Sequence, residues 1–173
     1  LRLVLSDISE RKAAQEKLVL AASVFSHSGE GIVITDADAN ITEVNDTFSR
    51  LTGYSRAEVL GRNPRLLSSG LQSQAFYAAM WADLLTKGGW SGELTNRRKD
   101  GEVYAVLLSI STLHDTQGRV LRYVALFSDI STAKAHEGQL LHMAHFDSLT
   151  NLPNRLLLAA RLHQAMTQPR PHT

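Results

Sequence analysis

The chain has 173 residues, 43% hydrophobic and 20% charged, which is enough to bury one full core and little more. Its 18 Lys and Arg against 17 Asp and Glu leave a formal charge of +1, so no basic field exists to hold nucleic acid or an anionic membrane surface. With no cysteine there is no disulfide, no thiolate nucleophile and no Cys-based metal cluster, in keeping with a reducing cytoplasm. The apolar runs, such as residues 18–22 and 123–127, are far shorter than the roughly 20 residues a bilayer needs.

The start, LRLVLSDISERK, lacks Met and has no basic segment followed by an apolar one, so it is expected to come from within a longer protein. It contains one half of an internal echo: Leu5-Ser6-Asp7-Ile8-Ser9 recurs as Phe127-Ser128-Asp129-Ile130-Ser131. In both copies a strand-like apolar run precedes Asp-Ile-Ser and a helix-forming stretch follows it. A repeat of about 120 residues predicts an array of similar modules, with residues 1–9 the tail of a preceding one and 10–21 a linker helix. Residues 31–35 (GIVIT) are β-branched, 36–40 form a turn cluster and 41–44 alternate, which predicts a hairpin. Ser55 and Glu58 have capping-box spacing at the start of a short helix. Ser73 offers an N-cap to a longer helix whose Phe76, Tyr77, Met80, Trp81, Leu84 and Leu85 recur at helical intervals until Gly88-Gly89. Residues 90–96 and 102–113 read as strands joined at Asp100-Gly101, and a third strand follows HDTQG. The order predicts an α+β domain: a five-stranded antiparallel sheet with helices on one face, flanked by N- and C-terminal helices.

The motifs Asn45-x-x-Phe48, Thr52-Gly53-Tyr54, Glu58-Val59-Leu60-Gly61, Asn96-Arg97-Arg98-Lys99-Asp100-Gly101 and Asp129-Ile130-Ser131 resemble, in this order and spacing, a PAS domain over residues 22–132. The resemblance implies a sensory module that cradles a ligand between sheet and helices and acts on an attached effector. A second segment, residues 145–155 (HFDSLTNLPNR), resembles the opening of a GGDEF domain, the catalytic module of diguanylate cyclases. Residues 133–146 would then be a signalling helix and 147–173 the truncated start of that cyclase domain. The Gly-Gly-Asp/Glu-Glu-Phe loop that holds GTP and metal is absent from this sequence, so the fragment itself is expected to be a regulatory piece and not an enzyme.

The ligand is narrowed by chemistry. Photoactive flavin domains of the light-oxygen-voltage type use a cysteine in an Asn-Cys-Arg segment; here it reads Asn63-Pro64-Arg65, and the later Asn and Gln that grip their flavin correspond to Val106 and Phe127. No His lies between His27 and His114, so no His-ligated haem is expected. His136, His142 and His145 have no third ligand at a plausible spacing and are read as a solvated helix face, not a metal site. The stretches 66–70, 76–81 and 90–100 are most similar to the FAD-binding redox PAS domains of NifL-type regulators. That resemblance implies FAD as cofactor, with Trp81 and Asn96 lining the ring pocket; Asn63 belongs to the segment opening the helix, and Arg65 is the candidate for the phosphates. The residues by themselves leave alternatives open: Trp81 as core filler, Asn96 as a hairpin cap, and the whole domain as a cofactor-free or small-metabolite-binding dimerisation module. The reading implies a homodimer through the flanking helices, neighbouring PAS and GGDEF domains in the same chain, and a cytoplasmic fragment whose parent protein has room for a membrane anchor elsewhere.

Overall fold

A computed structural model of the chain describes residues 2–145 together with Leu152, Asn154 and Leu158. The chain divides into two compact units, Leu1–Ile130 and Ser131–Thr173. In the first, α1 (Arg2–His27) is one continuous helix. The strand-like run expected before Asp7 is therefore helical, and neither expected boundary, after residue 9 or after residue 21, interrupts the helix. A strand needs a neighbour for its backbone groups, whereas a helix satisfies them within the segment. The five strands of the described sheet pair with one another and leave the first residues to do the latter.

The hairpin of β1 (Gly31–Thr35) and β2 (Ile41–Val44) forms with Val33 opposite Val44. Its turn is held by Asp36, whose Oδ1 accepts from the backbone N–H groups of Asp38 and Asn40 at 3.0 and 2.8 Å. Two short helices follow, α2 (Asp46–Thr52) and α3 (Arg56–Val59), then a single 3₁₀ turn, Pro64–Leu67. At α3 the Glu58 carboxylate accepts from both the backbone N–H and the hydroxyl of Ser55, each at 2.9 Å. The capping box is thus formed, with the serine hydroxyl also bonded to the carboxylate. With Lys99 bonded to the same group, the Glu58 carboxyl is held down at about 2. Helix α4 (Gln74–Lys87) starts where Ser73 Oγ accepts from Phe76 N–H at 3.2 Å and ends at Gly88, whose φ of 74° suits glycine.

Strands β3 (Gly89–Arg97), β4 (Val103–His114) and β5 (Val120–Asp129) complete an antiparallel sheet in the order β2-β1-β5-β4-β3. The first and last strands are neighbours, with Gly31 opposite Phe127 and Thr35 opposite Tyr123. Alternation sends Leu94, Tyr104, Val106 and Phe127 to the face covered by the short helices, where they pack with Val33, Ile41, Phe48 and Val59. In the second unit, α5 (Ser131–His145) follows two residues after Asp129 and carries no buried residue; Asn154 closes its last turn, donating from its backbone to His145 O and from its side chain to Ala144 O. Most of residues 147–173, and with them most of the GGDEF-like motif, lie outside the described residues. No described helix is long and apolar enough to cross a membrane.

Gly31 is required by its neighbour. A methyl group there would come within 2.3 Å of Phe127 Cζ. Phe127 is only 3% exposed and meets Phe48 edge-on at 6.0 Å between ring centroids, so the ring would have to leave this packed position. Gly31→Ala is expected to lower stability by roughly 1–3 kcal/mol through overpacking. The check is a lower denaturation midpoint at unchanged m-value; an unchanged midpoint would mean that the ring moves freely.

Candidate functional site

A cavity of about 510 Å³ opens between the covered face of the sheet, helix α4 and the Pro64–Leu67 turn. Its floor is apolar because strand alternation brings Val33, Leu94, Leu108, Ile110, Ala125 and Phe127 to one face. Helix α4 adds Tyr77, Met80, Trp81 and Leu84, which recur at helical spacing and so share a wall. A mostly apolar pocket with a few polar groups is the form that small-molecule sites take.

The four residues singled out from the sequence, Trp81, Asn96, Asn63 and Arg65, all line this cavity. Trp81 remains 37% exposed and packs edge-on against Tyr123, with centroids 5.4 Å apart, so it forms a wall and does not fill the core. Asn96 does not cap its hairpin. That turn is closed by Arg98 N–H to Glu102 O at 2.8 Å, Gly101 N–H to Arg98 O at 3.0 Å, and Glu102 N–H to Asp100 Oδ1 at 3.0 Å. The Asn96 amide takes no hydrogen bond among the described residues, while its backbone forms an isolated bridge to Ser68, which tethers the mouth of the pocket to β3. Asn63 is already engaged: Nδ2 donates to Ala39 O at 3.1 Å, and Oδ1 accepts from Arg65 N and Nε at 3.0 and 3.2 Å. Its part is to brace the turn and steer the exposed Arg65. Of the two positions aligned with the flavin-gripping residues of light-oxygen-voltage domains, Phe127 presents its ring to the cavity and Val106 is fully buried in the core.

Behind Asn96 lies a group that the sequence did not single out. Tyr104 stands opposite Asn96 in the β3–β4 register and is 2% exposed. Its hydroxyl is buried without a hydrogen-bond partner among the described residues. Burial pushes the phenol up to about 12; the charge of Arg98 and the nearby Asn96 amide act the other way, the amide lying close but outside hydrogen-bond geometry. The Arg98 guanidinium lies 3.9 Å from the Tyr104 ring centroid and is bonded to Leu51 O, Glu102 and Asp129. No pattern in the sequence separates Tyr104 from Val106 and Leu108, which share its face of the strand. No histidine lines the cavity, and no cluster of three or more metal-ligating side chains occurs among the described residues.

This arrangement, a twisted antiparallel sheet that closes a pocket under short helices and hands its last strand to a following helix, defines an α+β ligand-cradling module. The family model for PAS domains matches residues 29–132, and the chain belongs to the PAS domain family of sensory modules. It is 41% identical over 133 residues to the nitrogen fixation regulatory protein of Klebsiella pneumoniae, a match that spans 76% of this chain and 27% of that protein. It is also similar to a blue-light-activated histidine kinase of Rhizobium johnstonii, 30% identical over 191 residues, spanning 98% of this chain and 55% of that one. Among solved structures, a light-oxygen-voltage domain studied with a flavin analogue superposes with a TM-score of 0.56 at 30% identity, over 70% of this chain and 93% of that one.

The differing engagement of the two asparagines is open to measurement. Asn96→Ala is expected to leave the stability of the ligand-free protein within about 0.5 kcal/mol. Asn63→Ala, which removes a cap and the tie to Ala39, is expected to lower it by about 1–2 kcal/mol. Thermal denaturation of both variants checks this; equal losses would mean that Asn96 is held by the fold after all.

Proposed function

We propose that this domain is a cytoplasmic redox sensor that holds FAD in its cavity and controls a diguanylate cyclase carried further along the same chain. The observation that carries the reading is the cavity wall itself. An indole, Trp81, and an amide with no hydrogen bond among the described residues, Asn96, face an apolar pocket of a size suited to a ring system. The likeness to a nitrogen fixation regulatory protein and to a light-oxygen-voltage domain studied with a flavin analogue supports a flavin as the ligand. A bound flavin supplies a couple that gains electrons and protons at its ring on reduction.

The chain's residues have separable parts to play. Trp81 covers the ring and excludes water. Asn96 offers both a donor and an acceptor to the polar edge, so it registers a change in that edge's hydrogen bonding. Arg65, steered by Asn63, supplies positive charge for phosphate. The output leaves through β5 and α5. The cyclase rests on the motif at residues 145–155 alone. Pairing of two copies is supported by the exposed apolar side chains of the flanking helices: Leu18, Val19, Leu20 and Val24 on α1, and Leu140, Leu141 and Met143 on α5. Ile130, Ala133, Glu137, Leu140/Leu141 and Ala144 make a heptad-like seam that Glu137 interrupts, as suits a helix pair with two registers.

The deciding experiment is a visible spectrum. The purified protein is expected to be yellow or to take up FAD, and Trp81→Ala and Asn96→Ala to bind it about five- to a hundredfold more weakly, a loss of roughly 1–3 kcal/mol. Equal FAD content in all three proteins would remove these residues from the site, and no uptake by any of them would leave a cofactor-free or metabolite-binding module.

Coupling is tested separately in the full-length protein. One residue inserted after Gln139 rotates everything downstream by about 100°, whereas seven restore the heptad register. The single insertion is expected to change cyclase output or abolish its response, and the seven-residue insertion to preserve both. Indifference to insertion length would mean a flexible tether.

A further inference from the structure

The buried hydroxyl of Tyr104 has no assigned role, and its surroundings give it one. Natural proteins seldom leave such a group unpaired unless something completes it in another state. Tyr104 sits directly across from Asn96, whose amide is equally without a hydrogen bond among the described residues and faces the cavity. A side-chain amide is ambiguous: turned one way it presents two N–H donors, turned the other a carbonyl acceptor. A neighbouring group with a fixed preference resolves the ambiguity.

Tyr104 has such a preference. Burial keeps the phenol protonated at any physiological pH, so its O–H remains available to donate. The Arg98 guanidinium over the ring face, 3.9 Å from its centroid, draws electron density from the ring, which strengthens the O–H as donor and weakens the oxygen as acceptor. Arg98 is in turn held by Asp129, Glu102 and Leu51 O, so the cation cannot easily leave.

We propose that Tyr104, backed by Arg98, is a positioning residue that donates to Asn96 Oδ1 when the cavity is filled, turning the Asn96 N–H groups to the ligand and selecting a ligand edge that carries a carbonyl-type acceptor. The same contact joins the ligand to Asp129 at the end of β5 through the Tyr104 ring and Arg98. This rests on the reading of the cavity as a flavin site, so the test carries one arm that needs no flavin.

Tyr104→Phe keeps the ring, the packing and the guanidinium contact and removes one oxygen. The variant is expected to melt no lower than wild type, since the lost hydroxyl has no hydrogen-bond partner among the described residues, yet to bind FAD about five- to twentyfold more weakly. In an Asn96→Ala background the same substitution is expected to change FAD affinity less than about twofold, because the role runs through Asn96. An equal loss in both backgrounds, no loss in either, or a lowered melting temperature would overturn the proposal. Should wild type take up no FAD, the flavin reading falls, and the proposal is decided by NMR of the ligand-free protein. Because the hydroxyl meets Asn96 only in the filled cavity, Tyr104→Phe is then expected to leave the Asn96 side-chain amide resonances where Tyr77→Phe leaves them, the Tyr77 hydroxyl being paired with Ser68 Oγ at 3.1 Å. Asn96 resonances that move in Tyr104→Phe but not in Tyr77→Phe would mean that the contact exists without a ligand and would overturn it.

Discussion

The sensory domain is organised around one side-chain amide. Asn45 accepts from the backbone N–H groups of Ile32 and Phe48, both at 2.9 Å, and donates to the carbonyls of Phe25 and Glu30 at 3.0 and 2.9 Å. All the hydrogen-bonding capacity of the group is thus directed at main chain, in a position that is 3% exposed. The four bonds join the end of α1, the start of β1 and the first turn of α2. Thr47 adds a bond to Ser28 O at 2.7 Å from the same corner. No other side-chain type offers two donors and an acceptor with two lone pairs in so small a space except glutamine, which is longer by one carbon. With this corner held, β1 lies where β5 can pair with it, and the sheet closes with its first and last strands side by side.

That closure explains why core and cavity are not separate objects. Val33, Leu67, Leu94 and Phe127 belong both to the packed core and to the pocket lining. Whatever fills the pocket completes the packing of side chains that also hold the sheet together, so a ligand stabilises the fold by mass action. A change in such an occupant would reach the sheet as a change in packing and hydrogen bonding, with no separate lever required.

Arg98 performs at the far end of the sheet what Asn45 does at the near end. It fastens the last turn of α2, through Leu51 O, to the final residue of β5, Asp129, with the ring of Tyr104 beneath it. Half-buried ion pairs of this kind are held by geometry more than by net attraction, because desolvation offsets much of the Coulombic gain. Such a contact suits a junction that must be definite yet able to change. It lies within one strand of Asn96, at the point where the chain leaves the sheet for α5.

The elements were largely legible in the sequence because their signals are local. The GIVIT run, the Ser73 cap, the Gly88 stop and the Asp100-Gly101 turn each act within a few residues, and the strands and α4 form where those signals place them. The strand-like run before Asp7 misled for the same reason. A strand-like run forms a strand only beside another, and at residues 2–5 the helix prevails. Trp81 and Asn96 were found through a resemblance, but their status as cavity wall and unengaged amide follows only from packing: the periodicity of α4 fits core filler equally well, and the position of Asn96 beside a turn fits a cap. Tyr104 was invisible, since an inward-facing aromatic on a strand has the same pattern whether its hydroxyl is paired or not. The sequence by itself determined the order of elements, the apolar face of each and the family. Only the tertiary structure decided which polar groups go unpaired, because a hydrogen bond across the sheet depends on register and distance between residues that local pattern does not relate.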